Sequence, residues 1–249
     1  MTSYNAVVYD VEATLGSTDG ESRIHTICLV PVTIDAKKRT LSSGKGVLVC
    51  IRDVIDREEV NLKTDVKNKI AQAVIDVANY NFDIEYLNFY EAIVFMNKFT
   101  IENGAMLIGH NLIGDLGFIS STQDFVGGKR IIKKRLQGYP DTGMYDPQWK
   151  SITRVCTMSL FANRCPKMNA QFAKFVREND IPLTAGGYVP LKLSTYTQFV
   201  TGGKQTHSAV QDTMDLISVL KAAIETDGPA IIDGYDYMVK PEWFKMASC

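Results

Sequence analysis

Two carboxylates, Asp10 and Glu12, stand two residues apart in the β-branched segment NAVVYDVE, residues 5–12. Alternate residues of a β-strand point to the same face. The two acidic side chains would therefore lie side by side and repel each other unless a cation lies between them. This spacing is compatible with a metal ion held by oxygen ligands but does not by itself identify one. The alternative is that one of the two side chains points into solvent where the strand ends.

A third carboxylate, Asp115, lies in GHNLIGDLGFI, residues 109–119. The segment follows a short apolar strand, and Asn111 is a good N-cap for the helix that comes next. This places Asp115 near a helix start at the carboxyl end of a parallel strand, where α/β sheets usually bind ligands. Gly114 leaves room for a backbone or a ligand to approach. The alternative is that Asp115 only complements the helix dipole.

A fourth carboxylate, Asp212, closes the segment HSAVQD, residues 207–212. Ser208 and Gln211 fit the S-x-x-Q capping box, with Ser208 as the N-cap. His207 then precedes the cap and Asp212 occupies the fourth helical position, the two places that meet in a hydrophobic staple. The sequence therefore predicts that His207 and Asp212 face each other at a helix start. A purely structural contact between them is the alternative.

The rest of the pattern predicts the elements that position these residues. Three β-rich segments joined by short turns predict an antiparallel meander, and later strands alternate with helices, which indicates parallel pairing. The predicted strands cover residues 5–12, 24–32, 46–51, 105–110 and 152–156. The predicted helices cover 65–79, 88–102, a stretch from Leu112, 168–178, 190–200 and 208–226. The fold class is therefore α/β, with a mixed five-stranded sheet flanked by helices.

The helix at 65–79 is predicted from apolar residues that recur at helical spacing. These residues are Val66, Ile70, Ala73, Val74 and Val77.

The segments DVEAT, GHNLIGDLGF and HSAVQD resemble, in this order, the three motifs of the DEDDh (DnaQ-like) 3′→5′ exonucleases. A histidine five residues before the last acid is typical of that branch. The resemblance covers residues 5 to about 225 and implies a ribonuclease H-like fold. It predicts an exonuclease domain over 1–228, with insertions at about 53–87 and 122–150. Residues 229–249 would form a tail that packs on the body or on a partner.

The resemblance implies hydrolysis of phosphodiester bonds at the 3′ end of single-stranded DNA or RNA, with release of nucleoside 5′-monophosphates. By the family pattern, Asp10 bridges two divalent ions, and Glu12 and Asp212 complete the first ion site. Asp115 holds the second ion largely through water. Clustered carboxylates without thiolates favour Mg²⁺ or Mn²⁺. His207 would act as the general base, and its reference pKa of about 6.5 suits that role.

Four further residues are candidates for binding the substrate. Thr14 and Leu15 follow the first motif, and the resemblance implies that they contact the terminal nucleotide, with Leu15 wedged against the last base. A turn hydrophobe is the alternative for Leu15. His110 and Asn111 either orient the second motif or touch the strand, and a buried capping role explains both equally well.

Two other segments suggest contacts outside the site. The basic run KRIIKKR, residues 129–135, either follows the phosphate backbone or forms a solvated helix face. The tail carries aromatic residues, including Tyr235, Tyr237 and Trp243. It would pack on the body or dock on a partner such as a polymerase or another replication or repair protein.

Composition limits the remaining classes. The chain has 249 residues, and 27 basic against 28 acidic side chains give a net charge of −1, which excludes a generic polycation that coats nucleic acid. The sequence shows neither a membrane-spanning apolar run nor an apolar leader, so we expect no membrane contact. Five cysteines without a C-x-x-C pair predict reduced thiols and a cytoplasmic or other nucleic-acid-containing intracellular location.

Two other functions compete with a free-standing exonuclease. One is a polymerase-associated proofreading subunit or nucleic-acid-binding module with weak intrinsic activity. The other is an endonuclease or resolvase of the same fold, against which the spacing of His207 and Asp212 argues. The sequence leaves the choice between DNA and RNA open, because that choice depends on contacts to the 2′-hydroxyl.

Overall fold

The computed structural model describes residues 3–15, 22–56, 64–126, 150–203, 208–235 and 241. These residues form an α/β fold with a mixed sheet flanked by helices. The strands are β1 (Ser3–Leu15), β2 (Ser22–Asp35), β3 (Thr40–Ser43), β4 (Val47–Ile51), β5 (Asp83–Leu87), β6 (Met106–Gly109) and β7 (Thr153–Cys156). The helices are α1 (Arg52–Ile55), α2 (Thr64–Tyr80), α3 (Phe89–Glu102), α4 (Leu112–Val126), α5 (Thr157–Arg164), α6 (Pro166–Glu178), α7 (Leu193–Thr201) and α8 (Ala209–Asp227). A 3-10 helix follows at Pro229–Ile232.

The strands lie in the order β5-β4-β2-β1-β6-β7, and β3 pairs with the end of β2. β1, β2 and β4 are antiparallel neighbours, which confirms the predicted meander. β6 pairs parallel to β1, and β7 pairs parallel to β6, which confirms the predicted parallel half. The carboxyl ends of β1, β6 and β7 therefore lie side by side at the same end of the sheet.

Within the described residues the sheet has seven strands, so the predicted number of five is too low. The prediction missed β3 and β5, whose sequences are TLSS and DIEYL. Both are short and mostly exposed, because β5 is the edge of the sheet and β3 covers only the end of β2. Neither strand has the buried, β-branched run on which strand prediction relies.

Two hydrophobic cores cover the two faces of the sheet, and β1 contributes to both by alternation. Ala6 and Val8 pack in the core formed with α5, α6, α7 and α8. Val7 and Tyr9 pack in the core formed with α3 and α4. Asp10 and Glu12 continue the first series, which is why β1 presents both carboxylates on the side that faces α8.

Helix α2 exists as predicted, but its inward face differs from the predicted apolar stripe. Val74 is 39% exposed, whereas Asp76 is 6% exposed and Ala73 is 1% exposed. Lys69 and Tyr80 are half-buried on the same side, at helical spacing from Ala73. The inward face is therefore partly polar, because α2 packs against the first turn of α8 as well as against apolar core.

Segment boundaries also shift elsewhere. Residues 53–87, predicted as an insertion, contain α2 and the edge strand β5. In the second predicted insertion, 122–150, α4 continues to Val126, and residues 127–149 lie outside the described part. Helix α5 was not predicted. After α8, Ile231, Ile232 and Tyr235 are buried in the core that contains α8.

Four of the five cysteines lie in the described part of the chain and form no disulfide there. They are Cys28, Cys50, Cys156 and Cys165, and all four are buried. Cys249 lies outside the described residues. No helix in the described ranges combines the length and the apolar character needed to cross a membrane.

Candidate functional site

Strand β1 and helix α8 bring three of the predicted carboxylates together. Asp10, Glu12 and Asp212 each offer an oxygen, and these oxygens lie within 4.8 Å of one another. Asp10 and Glu12 share one face of β1, and Asp212 lies in the first turn of α8, which packs on that face. Residues that are 200 positions apart in the sequence thus form one acidic cluster.

Asp115, in the first turn of α4, lies beside this cluster. Its side chain is 7% exposed, and its Oδ2 atom has no hydrogen-bond partner within the described structure. Burial raises the pKa of Asp115 well above its usual range and the charge of Glu12 raises it further, whereas the nearby Tyr9 hydroxyl lowers it. Asp115 is therefore a buried carboxylate whose charge interacts with those of Asp10 and Glu12.

Burial and mutual repulsion disfavour the charged form of Asp10 in the cluster. Loss of solvent raises the pKa of Asp10 well above its usual range, and Asp115, Asp212 and Glu12 raise it further, in that order of size. Lys69 opposes this shift. Carboxylates crowded in this way are stabilised by a cation that lies among them.

The donor set fits a hard divalent cation. All four candidate ligands, Asp10, Glu12, Asp115 and Asp212, offer carboxylate oxygen, which is the preferred ligand of Mg²⁺ and Mn²⁺. Cys28 lies near Asp10, but burial raises the pKa of its thiol to about 12. The thiol therefore stays protonated and does not compete as a soft ligand.

The first turn of α8 is fixed from the side by α2. The Ser208 side chain accepts a hydrogen bond from the Gln211 backbone at 3.2 Å, which confirms Ser208 as the N-cap. The predicted capping box is incomplete, because the Gln211 side chain accepts from the Tyr80 hydroxyl at 2.8 Å and donates to Asp215 at 2.7 Å. The Ser208 hydroxyl donates to Asp76 at 2.5 Å. Asp76 and Tyr80 thus hold the helix start that carries Asp212.

Several predicted residues lie outside the described part of the structure. These are His207, the basic run 129–135, Tyr237 and Trp243, together with the side chain of Leu15. The predicted contact between His207 and Asp212 and the predicted wedge at Leu15 therefore stay predictions. Thr14, the other candidate of the first motif, is described, and its side chain is 5% exposed.

Asn111 lies where the N-cap of α4 was predicted, and its side chain is exposed. Its φ is +59°, a left-handed conformation that asparagine tolerates better than most residues. Its carbonyl accepts a hydrogen bond from the Gly114 N–H at 2.8 Å. A Cβ at Gly114 would lie 2.6 Å from the Asn111 side-chain nitrogen. The space at Gly114 is therefore filled by the amide of Asn111.

His110 is buried, and both of its ring nitrogens are engaged within the protein. Nδ1 lies 3.0 Å from the Thr157 hydroxyl, and Nε2 lies 2.9 Å from the Leu191 carbonyl. Burial lowers the pKa of His110 to about 4, so the ring is neutral near pH 7. This geometry favours the buried positioning role over contact with a nucleic-acid strand, because neither nitrogen is left for a ligand.

Two residues beside the cluster were missed by sequence reasoning. Lys69 on α2 places its ammonium 3.1 Å from Glu12 Oε2. His25 is the extra residue where β2 bulges opposite Glu12 and Ala13, and its Nε2 has no partner in the described structure. Burial lowers the pKa of His25 to about 4, helped by the charge of Lys69. No local pattern reveals either residue, because the bulge and the approach of α2 are set by tertiary packing.

No protein-family model matches the sequence, and no curated protein matches it.

Proposed function

We propose that this chain is a metal-dependent 3′→5′ exonuclease that acts on the 3′ end of single-stranded DNA or RNA. The convergence of Asp10, Glu12 and Asp212 within 4.8 Å is the observation that carries this proposal. Asp115 adds a buried carboxylate oxygen beside them. The four acids come from the three segments that resemble the DEDDh motifs, in the same order along the chain.

The topology supports a ribonuclease H-like fold for the domain. An antiparallel meander of β1, β2 and β4 is followed by β6 and β7 parallel to β1, with helices on both faces. The carboxylates lie on β1 and at the starts of α4 and α8, so rigid elements hold them. Such an arrangement suits a reaction that depends on accurate positioning of charge.

Two divalent ions, Mg²⁺ or Mn²⁺, are the cofactors we propose. Asp10, Glu12 and Asp212 would hold one ion, and Asp115 would hold the second together with Asp10. Bound ions of this kind neutralise charge on a phosphodiester and activate the attacking water. The unfavourable crowding of the carboxylates supports this assignment, because a cation relieves it.

The proposed reaction adds water across the last phosphodiester bond. The oxygen of water forms a bond to phosphorus, and the bond from phosphorus to the 3′ oxygen of the preceding nucleotide breaks. A proton goes to that 3′ oxygen, which leaves a shortened strand with a 3′-hydroxyl and a free nucleoside 5′-monophosphate. His207 is the proposed general base, because it directly precedes Ser208, the N-cap of the helix that carries Asp212.

The test uses 5′-labelled single-stranded DNA and RNA of one sequence, incubated with Mg²⁺, Mn²⁺ or EDTA and resolved on a gel. The proposal predicts a metal-dependent ladder that shortens from the 3′ end, and no cleavage of a circular single strand. The relative rates on DNA and RNA then define the sugar preference. Internal cuts, or cleavage of the circle, would contradict the exonuclease assignment and favour an endonuclease.

The proposed function also sets the partners and the location. The substrate is a single-stranded 3′ end, and the compartment is the cytoplasm or another intracellular space that contains nucleic acid. If the folded protein degrades neither DNA nor RNA with either ion, the proposal that it is active without a partner is contradicted. The alternative would then be a polymerase-associated subunit, which co-purification with a polymerase would reveal.

A further inference from the structure

Lys69 is a basic side chain that forms an ion pair with the acidic cluster. Its ammonium lies 3.1 Å from Glu12 Oε2, and its charge also reaches Asp10. The side chain of Lys69 is 35% exposed, whereas that of Glu12 is 12% exposed. Lys69 therefore spans from the solvent side of the cluster to the carboxylates themselves.

Contacts with α8 fix the position of α2 relative to the cluster. The fold itself therefore places Lys69 next to the carboxylates. Asp76 accepts a hydrogen bond from Ser208, and Tyr80 donates to Gln211, both in the capped start of α8. Lys69, Asp76 and Tyr80 recur at helical spacing and share the inward side of α2. The contacts that position Asp212 thus also position Lys69.

Charge balance indicates what this ammonium is for. The four carboxylates carry four negative charges when ionised, and two divalent ions would balance them fully. The positive charge of Lys69 would then be in excess, and it would match the single negative charge of one phosphodiester group. Such a cation would add to the attraction that the bound ions themselves exert on the phosphate.

We propose that Lys69 is a phosphate-binding residue of this site, which releases Glu12 when cations bind and then holds the phosphodiester at the 3′ end. The inference rests on the proposed function. It assigns a role to α2, which lies outside the three motif segments. A lysine suits the role because its ammonium is a compact charge on a flexible stem with three donors. Its partial exposure leaves it accessible to a strand that arrives from solvent.

The test compares Lys69→Met, Lys69→Arg and the matched control Lys67→Met. Lys67 lies on the same helix and is exposed. Its replacement by methionine removes the same charge as Lys69→Met does. Binding of a fluorescent single-stranded oligonucleotide is measured over a range of salt concentrations. Ca²⁺ replaces Mg²⁺, and gels verify that the strand stays intact. Thermal unfolding with and without Ca²⁺ measures folding and cation binding separately.

Lys69→Met is expected to weaken strand binding about tenfold, as loss of a charged hydrogen bond would. It should also reduce the slope of log affinity against log salt by roughly 0.7, the value for one phosphate contact on a single strand. Lys69→Arg should keep the slope, and Lys67→Met should resemble the wild type. Stabilisation of Lys69→Met by Ca²⁺ should persist.

Two results would overturn the proposal. Strand affinity and salt slope could be unchanged in Lys69→Met while Ca²⁺ binds more tightly, in which case Lys69 is only a counter-ion that competes with the metal. Equal losses in Lys69→Met and Lys67→Met would show a general charge effect. Failure of the proposed function is recognised separately, because the wild type itself would then show no cation-dependent strand binding and no hydrolysis.

Discussion

The hydroxyl of Ser208 donates a 2.5 Å hydrogen bond to the carboxylate of Asp76, across 132 positions of sequence. Ser208 caps α8, whose first turn carries Asp212, and Asp76 lies on the inward side of α2, which carries Lys69. One buried hydrogen bond therefore links HSAVQD, the third motif segment, to α2, which lies outside all three motif segments. Loss of this hydrogen bond should therefore lower both the stability of the protein and the activity of the acidic cluster.

Replacing Ser208 by alanine should destabilise the protein and lower hydrolysis. The change removes the N-cap of α8, at a cost of about 1 kcal/mol. It also removes a partner of the buried Asp76 carboxylate, which adds roughly 1 to 3 kcal/mol. Urea unfolding measures the loss, and Tyr80→Phe is the control, since it removes one hydrogen bond from the same interface. Equal stabilities of Ser208→Ala and the wild type would contradict the link.

Gly104 should resist substitution far more than Gly187. Both have positive φ, +111° and +75°, so alanine is strained at either position. A Cβ at Gly104 would also lie 2.3 Å from the Asn5 carbonyl oxygen, whereas at Gly187 it would meet nothing within 4 Å. Gly104→Ala should therefore cost roughly 1 to 3 kcal/mol more than Gly187→Ala in urea unfolding, as overpacking does. Equal costs would show that the close approach of β1 and this turn is absent.

His110 should make stability fall as the pH is lowered from about 6.5 to about 4. Its folded pKa is about 4, so the unfolded chain takes up a proton in this range while the folded protein does not. The stability from the neutral ring is complete above the unfolded pKa and is lost as the pH falls through the range. His110→Gln should reduce the slope by about 1.4 kcal/mol per pH unit. Parallel pH profiles of wild type and variant would contradict the buried, neutral ring.

Replacing Asp10 by asparagine should stabilise the metal-free protein and abolish hydrolysis. The change removes one of four crowded carboxylates, and the pKa of Asp10 is raised first by burial and then by repulsion from the other three. In EDTA, the unfolding temperature of Asp10→Asn should exceed that of the wild type, whereas added Mg²⁺ should stabilise only the wild type. A variant less stable than the wild type in EDTA would mean that the cluster is not electrostatically strained.

The acids of the cluster could be predicted because local rules fix their directions. Alternation along β1 places Asp10 and Glu12 on one face, and the cap at Ser208 defines where Asp212 stands on α8. The meander and the parallel strands followed from segment lengths and connections. The edge strand β5 could not be predicted in this way, because its exposed side chains show no periodic burial.

Residues that act across elements could not be predicted. Lys69 approaches Glu12 only because α2 packs along α8, a contact without any sequence pattern. The position of His25 depends on a bulge that shifts the register of β1 and β2. His110 was singled out within the second motif segment, but the choice between its buried role and a contact with the strand depended on the distant Thr157 and Leu191.

The central claim is that the acidic cluster binds the divalent ions that hydrolysis requires. A calorimetric titration of Mn²⁺ into the wild type, Asp10→Asn and Asp215→Asn tests it most directly. Asp215 is the matched control, a buried aspartate on α8 that pairs with Gln211. We predict about two ions bound by the wild type and by Asp215→Asn, and loss of binding in Asp10→Asn. Equal binding by Asp10→Asn and the wild type would contradict the account.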